Sequence, residues 1–480
     1  MIRTAHECII DRHAILFFDD AIFAERKNVR SIYHTPEKDA RNPILRPELP
    51  WEGSRIQPWG SVYPWEGKWR VLCNGYGNTD IPGVFVLETE DGSHWYRPSL
   101  GLHEHNGSTD NSLLIPCPVP GAGFQFLPSL IRHPSPPDPS FTWLLYLWAH
   151  LHSTPEKPQC ALYLHKSSDG LHFEQVGREP VIRMHDWQYG PGRANDVLSV
   201  YYDTQAGCFT MYAAVVLPAA PGHEVLWDNA PHVVRRLARW ESADGITWNG
   251  PHFMLEPDRH EPAWQQYYGV TVSEYEGLWL GFPLYYHVAE QFMHPHLIVS
   301  TDRRVWQRPS RQPFIPSGDS PSRWDFGGIF PAWDFLRLND TLIFPYGGMR
   351  QREHTNRAEM HFGVARLRHD GFVSLSPGDA SATYCEFQTI PLCGAGGKEL
   401  LVNTEPDWHT GDDRWITVAV EDADGRPVPG YTWDDCGCRA ADGIRVPIRW
   451  KERTRLPALP RLRLRIGLRK QRLYALRFAD

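Results

Sequence analysis

The sequence predicts an all-β protein, a five-bladed β-propeller followed by a C-terminal β-sandwich, and three observations predict it. The first is a hairpin that recurs as Thr89-Glu-Asp-Gly-Ser-His-Trp95, Ser167-Ser-Asp-Gly-Leu-His-Phe173, Ser242-Ala-Asp-Gly-Ile-Thr-Trp248, Ser300-Thr-Asp-Arg-Arg-Val-Trp306 and, degenerate, Arg368-His-Asp-Gly-Phe-Val-Ser374. Its aspartates, Asp91, Asp169, Asp244, Asp302 and Asp370, lie 58 to 78 residues apart, the spacing of an array. Asp-Gly between β-prone runs favours a tight turn, because glycine accepts positive φ and aspartate bonds its own turn backbone. The second observation is the order of runs before each hairpin. Asp196–Tyr202, Cys208–Ala214 and Arg236–Trp240 precede Asp244, and Tyr268–Ser273, Gly277–Phe282 and His296–Ser300 precede Asp302. With the strand after each turn this makes four antiparallel strands per repeat, the make-up of a propeller blade. The third is composition: 20 Trp, 19 Tyr and 21 Phe suit pleated, half-buried surfaces, and 39 Gly with 42 Pro punctuate turns. Alternating runs alone would equally fit unrelated hairpins in a sandwich; the repeated order selects the propeller.

Taken in order, residues 1–50 form a lead-in that rests on the propeller. Its apolar run Ala14–Asp20 is either a strand closing the ring or one lying against the last blade. Residues 51–375 hold five blades, beginning near Trp59, Phe124, Asp196, Tyr268 and Gly328. After Leu375 the period stops, and Ser376-Pro-Gly-Asp379 marks a boundary. Residues 376–480 carry short runs, among them Glu399–Val402, Trp415–Val420, Ile444–Arg449 and Leu473–Phe478, which read as an antiparallel sandwich.

The formal net charge is −8 and the basic residues form no long block, which argues against a nucleic-acid partner. Arg461-Leu-Arg-Leu-Arg465 is read as a strand with an arginine-lined outer face. No apolar stretch reaches the roughly 18 residues a membrane span needs, and the first residues lack a secretory pattern. Nine scattered cysteines suggest reduced thiols and a cytoplasmic setting. No metal or cofactor is expected. His103-Glu-His105 offers two ligands without a completing set, and Gly394–Gly397 lacks the features of a phosphate loop. Oligomeric state is open, a homo-oligomer included.

In a propeller the start of each blade's innermost strand opens on the channel mouth, so polar groups there are the candidates. Arg193 and Asp196 stand before blade three, Asp325 before blade five, and Glu52 with Trp59 before blade one. Converging carboxylates beside aromatic faces suit glycosidic cleavage, which needs one carboxylic acid on the leaving oxygen and a second carboxylate as base or nucleophile. The expected catalytic residues are Asp196, as nucleophile or base, with Glu52 or Asp325 as acid. Arg193 would hold one carboxylate ionised, splitting the two pKa values. Trp59 and Tyr268 would be stacking platforms, and Asp110 a rim residue. Long insertions at 174–195 and 215–235 carry His185, Trp187, Trp227 and His232 and suggest a closed, exo-acting pocket. Each carboxylate has a plain alternative: Asp196, Asp325 and Asp110 as turn or cap residues, Glu52 as a solvated loop carboxylate, and the five turn aspartates as structural.

Several stretches carry a family likeness: Leu16-Phe-Phe-Asp-Asp20, Asn42-Pro-Ile-Leu, Pro50-Trp-Glu52, the blade-end turns, Asp370–Leu375 and Asp424-Gly-Arg-Pro-Val-Pro-Gly430. Over nearly the whole chain the sequence resembles a mostly uncharacterised bacterial branch of the five-bladed β-propeller glycosidase superfamily that includes invertases, levansucrases and arabinanases. That resemblance implies a sugar-binding propeller with a small carbohydrate as partner. The invertase-like motifs themselves are missing. Blade one reads Trp59-Gly-Ser-Val where an Asn-Asp-Pro nucleophile motif would stand, Asn195-Asp196-Val echoes that motif in blade three, and Cys385-Glu386 reverses the acid motif in the wrong domain. No catalytic set carries over. The reading is a glycoside hydrolase of small oligosaccharides or glycosides, with furanosides in scope. Its alternatives are a non-catalytic carbohydrate-binding propeller and a glycoside phosphorylase, whose phosphate would need Arg193 with Arg350, Arg352 or Arg357.

Overall fold

The repeated turn governs the architecture seen in a computed structural model, which describes residues 2–3, 7–11, 13–75, 83–116, 125–150, 160–184, 193–228, 230–262, 264–352, 359–378, 384–407, 413–437 and 442–480. In four copies the hydroxyl of Thr89, Ser167, Ser242 or Ser300 accepts from the N–H three residues on, at 2.8–2.9 Å. In the same four, the aspartate Oδ1 accepts from the N–H groups two and three residues on, at 2.7–2.9 Å. The residue after the aspartate takes positive φ: Gly92, Gly170 and Gly245 at 67°, 76° and 73°, and Arg303 at 62°. The fifth copy has Arg368 in the hydroxyl position and folds differently. Asp370 itself takes φ 58°, lies buried, and accepts from the Tyr275 hydroxyl at 2.7 Å with Arg477 at 3.4 Å.

The described residues contain strands, two short 3-10 turns and no α-helix. Three sheets are simple meanders in chain order. The first joins Val62–Trp65, Lys68–Asn74, Val84–Thr89 and Leu113–Ile115. The second runs Gln125–Arg132, Trp143–His150, Cys160–Ser167 and Glu174–Gln175, with Ile182–Met184 also on the third strand. The third joins Arg193–Asp203, Cys208–Pro218, Val233–Ser242 and Asn249–Leu255. A fourth sheet has nine strands, because the meander beginning at Gln266–Tyr275 and the one beginning at Gly328–Pro331 meet at one parallel bridge, Met293 to Gly328. Its far edge is completed from the other end of the chain, by Glu37–Lys38 against Met360–Arg368.

Hydrogen bonds tie the first strands of these meanders into a closed ring. Ser61 donates its N–H to Pro128 O (3.1 Å) and accepts from Leu130 N (2.9 Å). Ser129 accepts from Val200 N (2.9 Å), and Ser199 donates to Val270 O (3.3 Å). The Tyr201 hydroxyl accepts from Val272 N (3.1 Å) and donates to Trp333 O (3.0 Å), while Trp333 N reaches Gly60 O (3.1 Å). These bonds, made by serine and tyrosine hydroxyls and by backbone groups, satisfy backbone atoms that the ladders within each sheet leave unpaired. The pairings 199 to 270 and 201 to 272 also show that the first strands of the third and fourth sheets run the same way. Their starts therefore gather at one end of the ring.

Beyond residue 372 two further sheets share one core. Phe387, Val418, Val420, Leu464 and Ile466 of the seven-stranded sheet meet Leu400, Val402, Leu473 and Leu476 of the six-stranded sheet. Five phenyl rings, Phe282, Phe314, Phe335, Phe344 and Phe372, with centroids 4.8–6.4 Å apart, carry that core into the fourth sheet. The first 50 residues depart from a simple lead-in. Ile15–Leu16 pairs with Gln471–Ala479, Phe23–Lys27 with Tyr384–Thr389 and Val29–Tyr33 with Val373–Pro377, so this segment supplies strands to both C-terminal sheets. No helix among the described residues is long and apolar enough to cross a membrane.

Candidate functional site

At the end of the ring where the first strands begin, three of them lose regular register: between Phe126 and Ser129, between Ala194 and Leu198, and between Tyr267 and Val270. Bulges re-aim side chains and recur beside functional sites. One brackets Asp196 and another brackets Tyr268. Close approach is enforced by Gly269, where an added Cβ would lie 2.2 Å from Val197 Cγ1, so only glycine lets these two strands meet.

Trp59 and Tyr268 come together, ring centroids 6.2 Å apart and nearly parallel at 30°, with Phe330 at 5.0 Å from Trp59 and Tyr286 at 5.5 Å from Tyr268. Both rings are largely buried (6 % and 7 % exposed). Against them lies a buried charge. The Arg235 guanidinium sits 5.3 Å from the centroids of both Tyr268 and Tyr286, donates to Gln266 Oε1 at 2.7 Å and pairs with Asp228 at 3.0 Å. The other Asp228 oxygen accepts from the Tyr286 hydroxyl at 2.5 Å and from Gln291 Nε2 at 3.2 Å. Burial opposes the charge on Arg235, yet Asp228 and the phenols more than offset it and its pKa rises. Burial, and then the Asp228 charge, push the Tyr286 phenol up, so it remains a proton donor. The cluster thus gathers a carboxylate, a guanidinium, phenols and an indole at one end of the ring.

The expected site residues fall in several places. Arg193 and Asp196 lie on the bulged start of Arg193–Asp203, of which the backbone alone is described. His185 and Trp187 lie outside the described residues, as does Arg357. Glu52 is fully buried and held by Arg97 through both oxygens, with Oε2 also accepting from the N–H groups of Glu48 (2.9 Å) and Leu49 (3.1 Å). It is no solvated loop carboxylate; it folds the loop before the first sheet. Asp325 is buried and paired with Lys38 at 2.5 Å, with the Tyr346 hydroxyl at 3.4 Å. Asp110 is exposed just before Leu113–Ile115, the strand of the first sheet farthest from the ring. Trp227 is 65 % exposed, its indole N–H fixed on Ala289 O at 3.0 Å, and His232 is exposed. Arg352 is stacked between Phe292 (4.2 Å) and Phe326 (4.0 Å), and Arg350 reaches Pro321 O.

His103 Nε2 donates to Leu114 O (3.0 Å), and His105 sits edge-on to Trp51. A different group, Glu276, His369 and Asp370, brings ligand-type atoms together, but Arg477 pairs with both carboxylates at 2.9 and 3.4 Å and supplies the charge a cation would.

Sequence reasoning missed Asp228, Arg235, Gln266, Tyr286 and Gln291. The one signal was the 215–235 insertion, flagged for the tryptophan next to Asp228. No protein-family model matches the sequence, and no curated protein matches it. Solved structures do. A thermostable family-43 glycoside hydrolase is 15 % identical, with a TM-score of 0.44 over 66 % of this chain and 91 % of that one. An N-acetylgalactosamine deacetylase from F. plautii, solved with blood group B trisaccharide, is 13 % identical, with a TM-score of 0.46 over 74 % and 94 %. A family-43 β-xylosidase/α-arabinofuranosidase from a compost microbial metagenome, solved with xylotriose, is 12 % identical, with a TM-score of 0.42 over 72 % and 97 %.

Proposed function

We propose that the chain is a glycoside hydrolase of small oligosaccharides or glycosides, exo-acting at the mouth of a five-bladed propeller backed by a C-terminal β-sandwich. In this reading the nine-stranded sheet is two blades joined by the Met293–Gly328 bridge, and the two C-terminal sheets are the sandwich. The observation that carries the function is the gathering, at one end of a closed strand ring, of Trp59 and Tyr268 with a buried Asp228–Arg235 pair beside the bulge that bears Asp196. Asp196 is the nucleophile or base, and Asp228 with Arg235 replaces Arg193 as the charge-setting neighbour. Glu52 drops out as acid because Arg97 and two backbone N–H groups occupy it. Asp325 acts only if Lys38 releases it on binding.

The test is turnover. The protein is assayed on a panel of nitrophenyl glycosides and short oligosaccharides, with and without phosphate, and products are separated by chromatography. Asp196→Asn should lower kcat by about 10²–10⁴ on any substrate found; full retention removes Asp196 from the chemistry. A second reading, a carbohydrate-binding propeller without catalysis, is favoured by the fact that Glu52 and Asp325 are already paired. It expects saturable sugar binding and no product at any pH.

A further inference from the structure

At the opposite end of the strands from Arg235, a cavity of about 450 Å³ opens between the third and fourth sheets. Its lining includes Arg239, His252, Phe253, Arg303 and Arg304, with Glu241 as the one acid. Arg239 and His252 are direct cross-strand partners on the third sheet, and Arg303–Arg304 belong to the turn that ends the adjoining meander. That turn is the one in which arginine stands where the other intact copies have glycine. A non-glycine residue at φ 62° is disfavoured, so something must hold Arg303 there. Its guanidinium pairs with buried Asp203 at 2.5 Å, bonds Thr210 Oγ1 at 3.0 Å and lies 5.2 Å from the Trp279 centroid.

Charge in the cavity is unbalanced. Arg303 is matched by Asp203 behind it, and Arg239 by Glu241 at 3.4 Å, whereas the exposed Arg304 makes no ion pair among the described residues and feels only the longer-range charge of Asp302 in its own turn. Behind this wall the fully buried Tyr212, cross-strand partner of Arg239, has a hydroxyl with no hydrogen-bond partner among the described residues. Phe253, 48 % exposed, adds an apolar face. A bare inorganic ion would leave most of such a volume empty; a sugar ring fills it, with C–H faces for Phe253 and hydroxyls for His252 and Asn249. The surplus positive charge asks for an oxyanion on that ring.

We propose that this cavity is a second binding site, for a monosaccharide bearing an oxyanion, either a phosphate ester or a carboxylate. It is independent of the glycosidase reading. Titration calorimetry on the full chain, with glucose 6-phosphate, glucuronate, glucose and inorganic phosphate, tests it. One of the two anionic sugars should saturate a single site, identifying the source of the oxyanion. Glucose and phosphate alone should each bind at least about tenfold more weakly. Arg304→Glu, an exposed change that breaks no ion pair among the described residues, should weaken binding at least about tenfold, and His252→Ala should weaken it less. Silence with both anionic sugars, equal affinity for phosphate alone, or binding indifferent to Arg304→Glu would each overturn the proposal.

Discussion

Arg235 shows how a single buried charge organises the mouth. Gln266 and Tyr268 from one strand, Tyr286 from another and Asp228 from a loop converge on it, and none of them is near it in sequence apart from Asp228. Breaking a buried pair by removing one partner costs about 3–5 kcal/mol, because the other charge is left uncompensated. Asp228→Asn should therefore lower the urea midpoint clearly, while Asp228→Leu combined with Arg235→Met should recover most of the loss. A midpoint unchanged in Asp228→Asn would mean that the pair does not hold the mouth. Of this cluster the sequence made two residues legible. Trp59 and Tyr268 could be named because large aromatics at the starts of two first strands have only the axis to face. Asp228 and Arg235 could not, since in Val233-Val-Arg-Arg-Leu237 nothing marks which arginine finds an internal partner, and both do. Glu52 misled for the same reason: its partner, Arg97, arrives from the far side of the first sheet's hairpin.

Among the elements, the repeated turn was the most legible, because its hydrogen bonds are all local. Its burial was not. Gly245 sits at φ 73° with room for nothing more: an added Cβ would lie 2.4 Å from the Tyr146 hydroxyl, which donates to Gly245 O. Gly207 has a similar φ, 66°, and open space around it. Gly207→Ala should thus cost about 1–2 kcal/mol from backbone strain alone, and Gly245→Ala visibly more. Equal losses in denaturant titrations would show that the Tyr146 contact is soft. The first-strand bulges were invisible beforehand, since a one-residue irregularity leaves the alternating pattern of a short run almost intact.

For the molecule as a whole, acid is the predictable weakness. Burial holds His165 at about 4 and His294 at about 3, well below the ordinary histidine value. Between pH 6.5 and those values the unfolded chain takes up protons that the folded chain refuses. Stability is therefore complete above about pH 6.5 and falls as pH drops toward 4, with His165 alone accounting for about 2 kcal/mol at pH 5. Urea midpoints at pH 7 and pH 5 measure it, and equal midpoints would contradict it. The overall order of strands was readable from the hairpin period, whereas the destination of the first 50 residues was not. Edge strands such as Phe23–Lys27, mostly exposed, carry little of the apolar alternation that reveals an interior strand. The placement of Glu37–Lys38 has a consequence for biosynthesis. This segment leaves the ribosome well before its partner Met360–Arg368, among the last of the fourth sheet's strands to be made. At about 5–20 residues per second that delay is on the order of tens of seconds. Until translation passes that point Glu37–Lys38 has no strand to join, and the fourth sheet is finished only by a segment made long before it.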